Sequence, residues 1–338
     1  MSVEITRLMV EVAVGQGLKN LRRQFNRRVL RNAVEHGGRF SHGRFQQLLF
    51  QTLQEMLRSE DHPYYTLCSR LANEVDERYL LGYGVNLGFE SWTRGAKTIR
   101  RLESEEQCNI PWCLTITTAG DGKQMDADTL CALIEQGMKV GVMTYLLEEQ
   151  AARAVLLTQV CDRFPACAIT VLLPDEAITP HWLEEVRGID NLAPVAVRKS
   201  GAFLSTEALK ASRRLFALCR EYDALTAARL MKTGDLRLAE EGSGQVVFFR
   251  PTADCPEDVR ERLNAYLLDK KLRPVHPVFP IDLSYDLSRV DRIISTDDCR
   301  LSIAVDGQYL LGEAMQPTGL YFPALPLYEA MQQLLKKT

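Results

Sequence analysis

The chain has 338 residues, of which 46% are hydrophobic, 25% charged and 8% aromatic. This length fits two domains or one α/β barrel with an appendage, and the composition excludes a disordered chain, a collagen-like repeat and a coiled-coil rod. With 41 basic and 44 acidic residues, the net charge of −3 argues against binding of nucleic acid through overall charge. Because no apolar run reaches the length of a membrane span and the first residues lack the layout of an export signal, we expect a cytoplasmic protein.

Residues 1–104 are predicted to form a helical region. Apolar side chains recur at steps of three and four over 18–30 and again over 45–57, which is typical of amphipathic helices. The glycine-spaced segment 81–88 interrupts this pattern and admits two interpretations, a nucleotide-binding loop or a turn. The last glycine spacing is one residue too long for a dinucleotide fingerprint, and no βαβ unit begins there. We therefore predict a turn that joins the helical region to the rest of the chain.

The first part of this helical region is strongly basic. Over 15–44 the chain carries eight arginines or lysines and a single acid, Glu35. Three interpretations stay open: a solvated face, a contact with a partner protein, and binding of nucleic acid or an anionic membrane, which the net charge disfavours. A partner contact is attractive because arginines beside an apolar stripe offer forked hydrogen bonds to carboxylates. The residues predicted to make it are Arg22, Arg23, Arg27 and Arg28.

From residue 105 onward, short β-branched runs alternate with amphipathic helical stretches. This order predicts parallel strands joined by right-handed crossovers. The predicted strands are 113–118, 140–147, 168–173, 192–197, 224–228 and 246–250. The predicted helices are 126–137, 149–163, 179–187, 205–221 and 257–270.

The C-terminal part of the sequence does not continue this alternation of strands and helices. Asp306 and Gly307 form a hairpin signal between the apolar runs 299–305 and 308–311, and a terminal helix is predicted at 326–335. The predicted fold class is α/β: a partial, open parallel TIM-like barrel with an N-terminal helical region and a C-terminal β-hairpin plus helix. The predicted boundaries are 1–104, 105–285 and 286–338.

Polar residues follow the first, second and fourth predicted strands, at the ends where ligands bind in parallel α/β folds. If these side chains project toward one mouth, they could perturb each other's pKa values and suit acid–base chemistry. A charged rim without a ligand is the alternative interpretation. The residues predicted to line a ligand-binding mouth are Thr118, Gly120, Asp121, Glu148, Glu149, Arg198 and Lys199.

The nine cysteines are expected to be reduced, and most of them to be buried as small apolar side chains. The spacing of Cys108 and Cys113 and the scatter of the five histidines do not match a zinc site, so no metal is predicted. Several aspartates crowd the segment 282–298. They would suit a cation only if two or three converged, and a solvated acidic loop is the simpler interpretation.

Five segments in order resemble the radical S-adenosylmethionine superfamily, and specifically members whose barrel ends in a cysteine-bearing auxiliary hairpin. The segments are 110–117, 126–145, 167–173, 193–201 and 299–311. They are similar to the first strand, the first helix with the second strand, the third strand, the fourth strand and the auxiliary hairpin. The resemblance rests on order, spacing and hydrophobic texture, covers roughly 81–325, and implies the family's open α/β barrel.

The sequence departs from this family where the family's chemistry resides. The resemblance implies three cysteines after the first strand to hold a [4Fe–4S] cluster, yet no cysteine lies between Cys113 and Cys131. The family's Gly-Gly-Glu-Pro segment is replaced at 146–150, and the acidic-glycine end of the fourth strand at 198–201. The hairpin keeps Cys299 but has Gly312 or Glu313 where a second thiolate belongs. These losses resemble a degenerate, cluster-free paralogue.

The function predicted from these observations is that of a pseudoenzyme without a cofactor, which acts as an accessory or regulatory binding protein. Its expected partner is a protein or a peptide, with a small anionic ligand as a further class and nucleic acid disfavoured. The alternative is an enzyme that uses the polar residues of the barrel mouth for non-radical acid–base chemistry. A large exposed apolar face on the N-terminal helices would favour the binding protein.

Overall fold

One open, mostly parallel sheet organises the chain. The computed structural model describes residues 3–23, 26–40, 43–120, 122–238, 246–295 and 297–337. Its strands are β1 (Cys113–Gly120), β2 (Lys123–Gln124), β3 (Thr144–Glu149), β4 (Ala168–Pro174), β5 (Leu192–Arg198), β6 (Ala217–Tyr222), β7 (Val246–Pro251), β8 (Phe279–Asp282), β9 (Leu301–Ile303), β10 (Gln308–Leu311) and β11 (Gln316–Tyr321). Their order is β11-β10-β9-β1-β3-β4-β5-β6-β7-β8, with β2 paired to β1.

The pairing is parallel from β9 through β1 and β3 to β8, while β10 and β11 add an antiparallel hairpin at one end. Helices between consecutive strands supply the crossovers that parallel pairing requires. The predicted fold class, an open parallel α/β barrel with N-terminal helices and a C-terminal hairpin plus helix, is confirmed.

Helices precede the sheet, connect its strands and close the chain. The N-terminal helices are α1 (Val3–Arg23), α2 (Arg27–Phe40), α3 (Arg44–Met56), α4 (Tyr64–Glu74), α5 (Glu77–Val85), a π-helix (Asn86–Gly95) and α6 (Ala96–Glu106). The later helices are α7 (Ala127–Lys139), α8 (Ala154–Arg163), a 3₁₀ turn (Asp175–Ala177), α9 (Pro180–Glu185), α10 (Thr206–Ala211), α11 (Ala224–Thr233), α12 (Glu257–Leu272), α13 (Leu283–Ile294) and α14 (Leu327–Leu334). Within the described ranges, none of these helices is both long and apolar enough to cross a bilayer.

The two faces of the sheet bury different apolar sets, because side chains alternate along each strand. On the outer face, residues such as Leu147 and Val171 join the largest core together with helices α7, α8 and α9. On the other face, here called the inner face, Leu146, Leu172 and Cys219 pack with Leu283 of α13. The inner face of the sheet is therefore covered partly by a helix of the chain itself.

The N-terminal helices also reach the inner face. The hydroxyls of Tyr83 in α5 and Thr170 in β4 lie 2.6 Å apart, and Thr144 of β3 donates a hydrogen bond to Ser91 of the π-helix at 2.9 Å. In contrast, α1 to α4 share a small apolar cluster of their own. Whether the chain divides into domains at residues 104 and 285 stays a prediction.

The turn predicted at 81–88 is wrong, because this segment is the end of α5 and the beginning of the π-helix. Gly82, the first glycine of this segment, lets α5 pack closely against the backbone of Asp190. A Cβ at this position would lie only 2.8 Å from the carbonyl oxygen of Asp190. The next close approach follows at the end of the π-helix, where a Cβ on Gly95 would overlap the carbonyl oxygen of Gly141. These two glycines allow the helices to approach the loops that precede β5 and β3, and they do not themselves form a loop.

The predicted helix 205–221 and strand 224–228 are also wrong. The chain instead forms the short helix α10, then β6, and then α11. Asp223 ends the strand and caps the helix, since its carboxylate accepts a hydrogen bond from the Thr226 amide at 2.8 Å. The apolar residues across 209–219 have a spacing that is also typical of a helix. The N-cap residue Asp223 is the local signal that a helix begins only after it.

The predicted acidic loop at 282–298 is largely the helix α13. Asp282 caps its N-terminus by accepting hydrogen bonds from the amides of Ser284 and Tyr285, and Asp291 is buried near its other end. Strand β8 precedes it and was missed because Pro280 breaks the apolar pattern of the run.

Arg214 joins the sheet to α5. Its side chain is 1% exposed, and its guanidinium donates hydrogen bonds to the carbonyl oxygens of Val186 at 2.8 Å, Ile189 at 2.6 Å and Leu192 at 3.1 Å. The guanidinium also stacks over the ring of Tyr79, 4.2 Å from its centroid. One cation therefore donates hydrogen bonds to three backbone carbonyl groups between the end of α9 and the beginning of β5.

Candidate functional site

A polar network occupies the inner face at the carboxyl ends of the strands. Arg250 of β7 donates to Glu148 of β3 at 3.1 Å and to Glu221 of β6 at 2.7 Å, while the Thr117 hydroxyl donates to Glu148 at 3.3 Å. Four strand positions separate β3 from β7, which in a flat sheet would be about 19 Å. The contact between Arg250 and Glu148 therefore shows that the sheet curls into an open barrel.

The charges within this network compensate each other. Burial alone would lower the pKa of Arg250, but the carboxylates of Glu148 and Glu221 raise it overall. Each of the three charged side chains stays about a quarter exposed, so the network is accessible from solvent. Two carboxylates around one guanidinium form a bound ion triplet with one net negative charge. This arrangement can attract a cationic group but has no free positive group for an anion.

Glu149 lies on the opposite face of β3 from Glu148. Its buried carboxylate accepts from Arg153 at 2.7 Å, from the Thr118 hydroxyl at 2.9 Å and from the Ala151 amide at 2.8 Å. Arg153 also donates to the carbonyl oxygens of Thr118 and Met125. Glu149 and Thr118 therefore fasten the loops after β1 and β3, and they do not face the inner network.

Arg198 belongs to a third group. It donates to the fully buried carboxylate of Asp175 at 3.1 Å, and Asp175 also accepts from the amides of Leu204 and Ser205. This carboxylate organises the loop after β5. Lys199, the next residue, is exposed to solvent.

The prediction that Asp121, Glu148, Glu149, Arg198 and Lys199 lie near one another at one mouth is therefore wrong for those that the structure describes. Glu148 faces the inner network, Glu149 and Thr118 face the other side of the sheet, and Arg198 pairs with Asp175. Gly120 lies at the end of β1, where it pairs with Lys123 of β2. Asp121 lies outside the described residues. Whether any of the seven predicted mouth residues binds a ligand stays a prediction.

The sequence interpretation missed Glu221 and Arg250, which complete the network. Both are the charged residues that end apolar strands, and this was the signal available in the sequence. Glu221 was overlooked because its strand was taken for a helix.

The four arginines predicted to bind a partner have different surroundings. Arg22 is half-buried and donates to the carbonyl oxygens of Ala72 and Val75 at 2.7 and 2.8 Å, so it fastens α1 to α4. Arg23 and Arg28 are exposed, and the described residues offer their guanidinium groups no ion pair. Among the described residues, Arg27 makes long contacts with Glu60 and Asp61, at 4.0 and 3.8 Å, and its guanidinium lies 5.7 Å from the centroid of the Tyr65 ring. A partner-binding role stays a prediction for these arginines.

The described cysteines do not fit the three-thiolate cluster that the family resemblance implies. Cys113 lies on the inner face, Cys131 packs into the outer core from α7, and Cys299 is buried beside Asp291. Burial raises the pKa of all three thiols, whereas a cluster requires thiolates. In the described part of the chain, no three His, Cys, Asp or Glu side chains form a group that could hold a metal ion.

Anaerobic incubation with iron and sulfide is expected to leave the visible absorption spectrum of the protein flat. The loop after β1 supplies no thiolate, and the neighbouring thiols are dispersed over separate elements. The double variant Cys113→Ala with Cys299→Ala is the control for adventitious iron. A stoichiometric cluster that persists in this variant would contradict the prediction.

The fold and the inner network define an open parallel α/β barrel with a solvent-accessible ion triplet at the carboxyl ends of its strands. No family model matches the chain, and no curated protein matches it. Among solved structures, the chain is similar to three crystal structures of SuiB from Streptococcus suis. One is SuiB itself and one is SuiB bound to S-adenosylmethionine, each with a TM-score of 0.45 and 13% identity over 63% of both chains. The third is SuiB bound to the precursor peptide SuiA, with a TM-score of 0.46 and 12% identity over 63% of this chain and 62% of that one.

The chain thus spans less than two thirds of the length of the SuiB structures that it matches.

Proposed function

We propose that the protein is a non-catalytic binding protein, a cluster-free pseudoenzyme resembling the radical S-adenosylmethionine superfamily, and that it docks a partner on the outer face of α1. The observation that carries the proposal is a row of exposed apolar side chains at helical spacing. Ile5, Leu8, Met9 and Val12 of α1 are 51%, 59%, 57% and 65% exposed. Scattered exposed apolar residues are common, but a contiguous row on one helix face is typical of an interaction site.

The other side of α1 already has its contacts within the chain. Arg7 donates to Glu90 and Asn86 of the π-helix, both at 2.9 Å, and Leu21 is buried in the apolar cluster of α1 to α4. The apolar row on the outer face therefore does not serve the packing of α1 onto its own protein. It leaves a surface that a second molecule can cover.

Exposed basic residues lie at the other end of α1 and at the beginning of α2. Arg23 ends α1, and Arg27 and Arg28 begin α2; all three are exposed. Arg23 and Arg28 form no ion pair among the described residues, and Arg27 forms only long ones with Glu60 and Asp61, so most of this charge is available to a partner. We propose that the apolar row and these three arginines bind one partner, and together they are here called the α1 docking face.

This charge pattern selects the kind of partner. The occupant that fits is an amphipathic segment of another protein, with an apolar row followed by acidic residues. The apolar row would supply buried area, and the acidic residues would pair with arginine in a fixed register. A nucleic acid fits less well, since phosphates would contact only the basic half of the face.

The inner face of the barrel supports a non-catalytic role. Helices α5 and α13 and the π-helix lie against it, and at its rim Arg250 is already bound to the carboxylates of Glu148 and Glu221. The alternative enzyme would have drawn on Glu148, Glu149 and Arg198 together, and the structure separates them. For this reason we favour the binding protein.

Site-specific photo-crosslinking can test the docking face in the native host. A photoreactive phenylalanine at position 8 is expected to capture a partner protein, whereas the same group at Leu225, an exposed apolar residue of α11, should not. The crosslinked segment should carry an apolar row and acidic residues. Equal capture at both positions, or capture of a second copy of this chain at position 8, would contradict the proposal.

A peptide of the captured segment then allows a quantitative test. The pair Leu8→Asp with Val12→Asp should weaken its binding by about 30-fold or more, since two central apolar contacts are lost. The pair Arg23→Glu with Arg28→Glu should weaken it about tenfold and reduce its dependence on salt. Leu225→Asp is the matched control and should leave the affinity unchanged. Arg22 is not included, because its change would disturb the contact between α1 and α4. Unchanged binding in both paired variants would contradict the proposal.

A further inference from the structure

A second surface feature lies away from the barrel mouth and the α1 docking face. A cavity of about 500 Å³ opens where α3, α6, the end of α13 and the C-terminal residues meet. Its charged lining residues are Arg44 from α3, Arg100 and Glu103 from α6, and Lys337. This volume is in the range of small-molecule sites.

Positive charge exceeds negative charge in this cavity. Arg44, Arg100 and Lys337 face one carboxylate, Glu103, which is already engaged by the Ile110 amide at 2.8 Å and by the Ser295 hydroxyl. The Lys337 ammonium lies 3.9 Å from the other oxygen of Glu103, so this pair is loose. Burial raises the pKa of Glu103, and burial together with the charge of Arg44 lowers the pKa of Arg100.

Arg100 holds an unsatisfied donor inside the protein. Its Nε donates to the carbonyl oxygen of Ile294 at 3.0 Å, but its Nη2 is buried and has no hydrogen-bond partner among the described residues. A buried donor without a partner is costly, particularly on a charged group. Arg44 is exposed at the cavity and forms no ion pair with the part of the chain that the structure describes.

We propose that this cavity binds a small molecule through an oxyanion group, a phosphoryl or a carboxylate, held between Arg44, Arg100 and Lys337. An oxyanion would offset the repulsion between the two arginines that line the cavity. Guanidinium groups suit this task, because their planar forks match the oxygens of phosphate and carboxylate. The site is independent of the α1 docking face, so either proposal can fail alone.

Titration calorimetry with pyrophosphate and with citrate distinguishes the two sources of the oxyanion. At least one of them is expected to bind at a concentration below about 1 mM, with an affinity that falls as salt is raised. Arg44→Gln and Arg100→Gln should each weaken this binding about tenfold or more, and Lys337→Gln should weaken it less. Tighter binding of pyrophosphate would assign a phosphoryl ligand, and tighter binding of citrate a carboxylate.

Arg101→Gln is the matched control. Arg101 is adjacent in α6 but is exposed and pairs with Glu105 at 3.0 Å, so its loss should leave the affinity unchanged. Arg44→Gln keeps the test decisive if Arg100→Gln disturbs folding, since Arg44 is on the surface. Absence of binding for both anions up to about 10 mM, or equal weakening by Arg101→Gln, would overturn the proposal.

Discussion

Replacing Arg214 with glutamine is expected to lower the free energy of unfolding by about 3 kcal/mol or more. The guanidinium satisfies the carbonyl oxygens of Val186, Ile189 and Leu192, and glutamine cannot reach all three. Hydrogen bonds from a charged donor contribute about 1.5–3 kcal/mol each. The Val186 carbonyl would keep its bond from the Ile189 amide at 3.1 Å, whereas the carbonyls of Ile189 and Leu192 would add the desolvation cost of a lost partner. The loss of the stacking on Tyr79 would also loosen α5 from the sheet.

Urea denaturation followed by circular dichroism measures this effect. The adjacent Arg213 offers a matched control, because it is exposed and donates only to the carbonyl oxygen of Asn73 at 3.0 Å. Arg213→Gln should cost less than about 1 kcal/mol. If both variants lowered the free energy of unfolding by the same amount, the burial of Arg214 and its three hydrogen bonds would not explain its contribution to stability.

Replacing Asp291 with asparagine is expected to change how stability depends on pH. Asp291 is buried in α13, where its carboxylate accepts a hydrogen bond from the Trp112 amide at 3.1 Å. Burial raises the pKa of this carboxyl to about 7. In the unfolded chain the pKa of an aspartate is about 3.9. Between these two values the folded protein holds a proton that the unfolded chain has released.

The sign of the effect follows from this difference in bound protons. A group that binds its proton more tightly in the folded state makes the protein less stable as pH rises from about 4 to about 7. Asparagine does not titrate. Between pH 4 and pH 7 the free energy of unfolding of the protein with Asp291 should therefore fall relative to that of Asp291→Asn, by an amount on the order of 2–4 kcal/mol. Parallel stability profiles of the two proteins from pH 4 to pH 8 would contradict the expectation.

Local sequence patterns predicted the strands that are apolar, short and bounded by clear turns. The run before Thr118, the run after Cys167 and the hairpin at Asp306 and Gly307 all carry their signal within a few residues. Errors arose where two patterns overlap. The apolar spacing before Asp223 suits both a helix and a strand, and the glycines around Gly82 suit both a turn and close helix packing.

The candidate sites were less predictable than the elements, because they depend on distant contacts. Glu148 and Arg250 meet only because the sheet curls over four strand positions. The oxyanion cavity takes Arg44, Arg100 and Lys337 from three separated parts of the chain, and no local pattern connects them. In contrast, the α1 docking face follows directly from residues spaced along one helix.

Among the described residues, the sheet ends in two edge strands, β11 on one side and β8 on the other. Unpaired edge strands can recruit strands from neighbouring molecules and so begin aggregation. Each of these edges contains a proline, Pro317 in β11 and Pro280 in β8, which lacks the amide hydrogen that a new strand would need. The barrel can therefore stay open without offering a continuous template for intermolecular β-pairing, and the protein should remain monodisperse at concentrations where a bare edge would nucleate fibrils.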